Sequence, residues 1–316
     1  MRFRSDPAAI AGSLAALVTP FDDAGALDLP GVERLVEWQL DQGSHGVTIG
    51  GSTSEPSAQT VEERAAVIDA VARVVADRAP FVAGTGCSRL EDTLALTAHA
   101  RDAGADAVMV VTPPYARPTQ QALEAWYLTV AREFPDLPVI AYNVPSRTAV
   151  DLAPETVERV FRAAENFVGV KETTREFEHF SRILHRCGPE LRVWSGIELL
   201  CLPLLAIGGA GFISATANLA PAASARMYEL WELGDLAGAR RIHYGLHPLV
   251  DLLFVETNPA PAKHLMAERG LLGSGQVRPP LTPPTPSGLA RIAALAAEGA
   301  EYLSPVPARP HRQEEP

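Results

Sequence analysis

The sequence predicts a (β/α)8 barrel carrying a small all-helical appendage at its C-terminal end. Short apolar runs recur eight times, and stretches of helical period separate them. Each run is apolar almost throughout rather than alternating, as strands of a parallel sheet covered on both faces must be. No glycine fingerprint for a dinucleotide follows the first run, so a closed barrel is favoured over a doubly wound open sheet.

The first run is 14–19. Arg2 and Arg4 ahead of the small apolar stretch 8–18 loosely imitate a signal peptide. Asp6 and Pro7 separate charge from apolar stretch, and Gly12 and Ser13 interrupt it, so a buried strand is the better reading. Segment 31–42 then places Val32, Leu35, Val36 and Leu40 on one helical face. The same unit repeats with runs 46–50, 81–84 and 107–112 and helical segments 61–76, 90–103 and 120–134. Runs 139–143, 167–171, 192–196 and 211–216 complete the eight. Beyond them the period is helical only, at 222–233, 236–253 and 261–269. Prolines crowd 277–286, which reads as extended chain before a last helix at 287–299. The expected division is therefore a barrel over 1–220, a helical region over 221–300 and a disordered tail over 301–316, rich in proline and ending in charge.

Composition narrows the function classes. The chain has 316 residues, 47% of them hydrophobic, with 38 acidic against 27 basic side chains and a formal charge of −11. A single barrel of about 250 residues accounts for most of that length. An acidic balance disfavours nucleic acid, which is bound through clustered Lys and Arg. No apolar run reaches the roughly 18 residues of a membrane span. Cys87, Cys187 and Cys201 form neither a disulfide framework nor a CxxC pair. The expectation is a soluble, cytoplasmic protein with small-molecule partners.

In a barrel the reacting groups sit where strands end and their loops begin. Run six ends at Lys171-Glu172, and burial there favours a neutral amine able to attack a carbonyl. The competing reading pairs Lys171 with Glu172 or another carboxylate. Run five ends at Tyr142, whose phenol can move protons, and Arg147 five residues on offers a fork for a carboxylate. Either can instead be ordinary, a satisfied core tyrosine and a solvated arginine. Run two ends in Gly50-Gly51-Ser52-Thr53-Ser54-Glu55, small residues and hydroxyls suited to a carboxylate nest or merely to a capped turn. Run four ends in prolines that present Tyr115, and run eight brings the backbone near Ile213 to the mouth. Gly84-Thr85-Gly86 lacks a third glycine, and Tyr244 stands where a zinc-protease helix through His243 and His247 needs glutamate. One lysine, two tyrosines, adjacent hydroxyls and one arginine suit Schiff-base chemistry on a keto acid with an acidic co-substrate, without a metal or organic cofactor.

Five motifs carry a resemblance: GSTSE at 51–55, TPPYARPTQ at 112–120, YNVPSRT at 142–148, Val-Lys-Glu at 170–172 and GFISATAN at 211–218. In this order the chain resembles the dihydrodipicolinate synthase / N-acetylneuraminate lyase family, over about residues 12–300, and its synthase branch most. The resemblance implies that Lys171 condenses with pyruvate and that Tyr142 gives and takes protons. It implies further that Ser52 and Tyr115 complete a proton relay, and that Thr53 and the backbone of Ile213 hold the pyruvate carboxylate. Arg147 falls on the position that holds the carboxylate of L-aspartate 4-semialdehyde. The implied reaction gives 4-hydroxy-tetrahydrodipicolinate, a step of lysine and diaminopimelate biosynthesis. A tyrosine reaching across subunits implies at least a dimer, most commonly a tetramer.

The chain departs from the family at Ser52 for threonine, Ser54 for glycine and Pro56 for a small hydroxyl residue. These changes bear on substrate preference and leave room for a pyruvate-dependent aldolase acting on another aldehyde, such as a sugar acid or other 2-keto acid. A barrel that binds without catalysis is the third reading, against which Lys171 and Tyr142 stand. The positions of the family's lysine-inhibition site hold Pro56, Val61, Arg64, Ser88, Asp92 and Pro114, a poor match for a lysine ammonium. Weak or absent lysine inhibition is the expectation.

Overall fold

The structure is a computed structural model that describes residues 3–307. Its eight strands are β1 (Gly12–Ala16), β2 (Gly46–Ile49), β3 (Phe81–Gly84), β4 (Ala107–Val111), β5 (Val139–Asn143), β6 (Phe167–Glu172), β7 (Arg192–Ser195) and β8 (Gly211–Ser214). They pair in parallel in chain order, and β8 returns to β1 with Leu14 beside Ile213, closing the (β/α)8 barrel the sequence predicts.

Strand alternation explains the continuous apolar runs. In β5, Ile140 and Tyr142 turn into the barrel interior with Leu14, Met109, Trp194 and Ile213, while Val139 and Ala141 turn out against the helices. Both faces are dry, so both must be apolar. The register of β5 on β6 slips between Val139 and Ile140: Val139 lies beside Phe167, but Ile140 lies beside Gly169. Strict alternation would put Phe167 and Lys171 on one face. The slip lets Phe167 pack outward against Tyr127, ring centres 5.9 Å apart, while Lys171 turns inward. Gly169 permits the close approach of β7, since a Cβ there would lie 2.2 Å from the Arg192 carbonyl oxygen.

The helical ring begins with Leu29–Asp41, Val61–Val75, Leu90–Ala103 and Gln120–Glu133, close to the expected bounds. The second opens with a capping box, Thr60 receiving the Glu63 amide and Glu63 receiving that of Thr60. Pro221–Glu232 packs against β1, which gives it the place of the barrel's eighth helix rather than of an appendage. The single helix expected over 236–253 is instead two, Leu236–Gly245 and His247–Leu253. Pro248, which has no N–H, occupies the first turn of the second, where none is needed. Ala260–Glu268 and Pro286–Glu298 follow.

The tail expected to be disordered from 301 is packed as far as Val306, which lies against the core. Trp38 Nε1 donates to the Pro305 carbonyl at 2.9 Å, and the buried Ser304 donates its amide to Leu219 at 3.1 Å. The remainder of that expected tail, 308–316, lies outside the described residues. Among the described residues no helix is long and apolar enough to cross a membrane.

Candidate active site

Lys171 closes the inner face of β6, is 4% exposed and sits in register with Tyr142 of β5. Its Nζ lies 4.5 Å from the centre of the Tyr142 ring. The Tyr142 hydroxyl meets Ser52 Oγ at 3.1 Å. Ser52 and Thr53 come from a 3-10 turn, Ser52–Ser54, directly after β2. That turn is reached through Gly50, whose φ is 77° and where a Cβ would lie 2.4 Å from the Gly84 carbonyl oxygen, so no side chain fits. Lysine, phenol and hydroxyl therefore form a contiguous set at the mouth, with Ile213 of β8 and Arg147 on the same cavity wall. The cleft holds about 480 Å³ of empty space open to solvent.

The Lys171–Glu172 pairing is not what the strand builds. Glu172 turns to the outer face, where Oε1 accepts from the Thr173 and Thr174 amides at 2.8 and 2.7 Å and Oε2 from Asn143 Nδ2 at 2.9 Å. His179 Nε2 stands 3.3 Å from that same Oε2. Burial pulls the His179 pKa down, but the Glu172 carboxylate, helped by Asp151, outweighs it and raises the pKa overall. Among the described residues no carboxylate lies within ion-pair distance of Lys171.

Of the site residues expected from sequence, Lys171, Tyr142, Ser52, Thr53, Ile213 and Arg147 line one cavity and Tyr115 does not. Tyr115 is 97% exposed, at a left-handed φ of 72°, on the loop after β4. Asn258 and Glu198 are among the wall residues that escaped the sequence reading. Asn258 donates Nδ2 to Thr53 Oγ1 at 2.9 Å and receives Arg147 on its backbone carbonyl at 3.2 Å, while its buried Oδ1 has no protein partner. Glu198, after β7, accepts the Ala215 amide at 2.8 Å and so steadies the loop that follows β8. The strand-end rule would have found Glu198; Asn258 lies beyond the last strand, among helices, where that rule does not look.

Ser54 is accommodated without strain, in the turn rather than in the left-handed region. Its Oγ donates to the Leu17 carbonyl at 2.6 Å and accepts the Gly50 amide at 3.0 Å, adding a tie that glycine cannot make. Arg64 is turned inward, donating to the carbonyls of Gly84 and Gly86 and to Cys87 Sγ.

A profile of the Dihydrodipicolinate synthetase family matches residues 9–298. A curated relative from Thermus thermophilus, named 4-hydroxy-tetrahydrodipicolinate synthase, is 42% identical over 285 residues, covering 90% of this chain and 95% of the relative. A dihydrodipicolinate synthase from Acinetobacter baumannii, solved in complex with pyruvate, superposes with a TM-score of 0.88 at 35% identity, covering 92% of this chain and 99% of that one. The enzyme from Cyanidioschyzon merolae, solved with lysine bound, gives 0.89 at 31% identity, covering 92% and 99%. With the family profile spanning the whole barrel and the helices beyond it, the chain belongs to the dihydrodipicolinate synthetase family.

Proposed function

We propose that this chain condenses pyruvate with L-aspartate 4-semialdehyde, releasing water and 4-hydroxy-tetrahydrodipicolinate, through an imine on Lys171. The observation that carries the reading is the buried Lys171 amine, free of carboxylates among the described residues, beside a phenol that is hydrogen-bonded to Ser52. Nζ attacks the keto carbon of pyruvate; a C–N bond forms and the carbonyl oxygen leaves as water, its protons delivered through Tyr142 and Ser52. Loss of a methyl proton gives the enamine, whose carbon attacks the aldehyde. The semialdehyde amine then adds to the imine carbon, closing the ring and returning Lys171 to the free amine. Thr53 and the Ile213 backbone hold the pyruvate carboxylate, and Arg147 that of the aldehyde. No step asks for a metal or an organic cofactor.

Support also comes from the names the relatives carry and from the pyruvate in the Acinetobacter baumannii enzyme. The acidic aldehyde is preferred to other aldehydes because Arg147 faces the cavity. Tyr115 is read as entering the cavity of a second copy, making the working enzyme at least a dimer and in the usual arrangement a tetramer. Its full exposure on a left-handed backbone supports this. The setting is cytoplasmic biosynthesis of lysine and diaminopimelate. Lysine inhibition is weak or absent, since Arg64 is committed inward to carbonyls and offers an incoming ammonium only repulsion.

The test is a coupled assay with pyruvate, aspartate semialdehyde and a reductase that consumes NADPH, run beside Lys171→Ala. Turnover that disappears in the variant supports the reading. Pyruvate trapped by borohydride without turnover would keep the Schiff base and overturn the aldehyde; no trapping would overturn both.

A further inference from the structure

The turn that carries Ser52 and Thr53 is gripped from outside the barrel. Glu55, the residue after it, is 3% exposed and held at a left-handed φ of 56°. For a residue with a Cβ that conformation costs on the order of 1 kcal/mol, so it persists only where neighbours impose it. Here they do. Glu55 Oε1 accepts from Lys263 Nζ at 2.8 Å, and Oε2 accepts the Arg278 amide at 2.9 Å. Lys263 belongs to the helix Ala260–Glu268, is fully buried and lies 4.1 Å over the Phe21 ring. The Arg278 guanidinium lies 4.3 Å over the same ring and grips Glu63 with both Nη atoms at 2.7 Å. Just before that helix, Asn258 holds Thr53. One C-terminal segment thus touches the turn at Thr53 and again at Glu55.

A buried ion pair is a poor device for stability, because desolvation consumes most of its Coulombic gain. Its strength is geometric: short charge-assisted contacts tolerate little displacement. Neither side chain faces the cavity, so neither meets substrate. We propose that Glu55 and Lys263 are positioning residues: their buried pair locks the Ser52–Ser54 turn to the C-terminal helix. The lock sets the Ser52 hydroxyl against Tyr142 and the Thr53 hydroxyl where pyruvate binds. The proposal rests on the Schiff-base reading of Lys171.

The test is the paired neutral variant Glu55→Gln/Lys263→Met, read by pyruvate trapping with borohydride, melting temperature and steady-state kinetics. Lys263→Met also leaves Lys171 as the only lysine, so the trapped mass reports one side chain. The variant is expected to melt at or above the wild-type temperature, yet to trap pyruvate about tenfold more slowly, as a slightly displaced hydroxyl pair would. The pyruvate KM rises while the aldehyde KM holds, because Arg147 is not on the turn. Unchanged trapping in a folded double variant overturns the proposal, and so does an equal rise in both KM values, the mark of general loosening. If the double variant fails to fold, Lys263→Arg decides, since it keeps the charge but shifts the contact. Slowed trapping at an unchanged melting temperature supports the lock, whereas wild-type trapping, or a second failure to fold, overturns it. Wild-type protein that traps no pyruvate would instead overturn the Schiff-base reading.

Discussion

The chain has two lysines, Lys171 and Lys263, both buried and in opposite circumstances. Lys263 has a carboxylate at 2.8 Å and an aromatic ring beneath it. Burial still pulls its pKa below the ordinary value, against the pull of Glu55. Lys171 has the ring of Tyr142 but no such carboxylate among the described residues. The same contrast holds within β6, where Glu172 beside Lys171 is saturated with donors. A buried group whose bonding capacity is filled holds structure together. One left with capacity to spare is poised for a substrate, which will fill it.

Four experiments press on that contrast. Lys171→Ala should lower turnover by more than about a thousandfold and abolish pyruvate trapping, with a melting temperature near the wild-type value, since no charged partner is stranded. A collapse of stability instead would show that Lys171 is structural after all. Lys263→Met alone should do the reverse. It strands the Glu55 carboxylate in a buried site and should cost about 3–5 kcal/mol in chemical denaturation. A loss below about 1 kcal/mol would mean that the pair contributes no more than a surface salt bridge.

Arg147→Ala should reduce kcat/KM for the semialdehyde roughly 10–100-fold, the value of a charge-assisted contact to a carboxylate, while pyruvate trapping keeps its rate. Equal loss in both would remove its assigned role. The smallest effect concerns pH. Because the His179 pKa is raised in the folded state, its protonated form adds stability that is complete below the ordinary value of 6.5 and fades as pH rises through the folded value. His179→Gln should flatten the melting temperature across that window; an unaltered slope would detach His179 from Glu172.

The strand runs were legible to within a few residues, because an apolar run is a local property of a strand buried on both faces. The lysine, phenol and hydroxyls that line the cavity were legible too, since each lies within a few residues of a strand end. The broken helix at Pro248 was readable in principle, and was missed only because the apolar period continues through it.

The sequence by itself therefore determined the barrel, its eight strands and the presence of a lysine, a phenol and hydroxyls at its mouth, all written in local period and spacing. Only the tertiary structure decided which way Lys171 points, since that depends on a register slip between two strands. Only it brought Asn258 to Thr53 across 205 residues of chain and Lys263 to Glu55 across 208. Contacts between distant segments leave no period in either segment. They exist only once the barrel has closed and the C-terminal helices have come to rest on it.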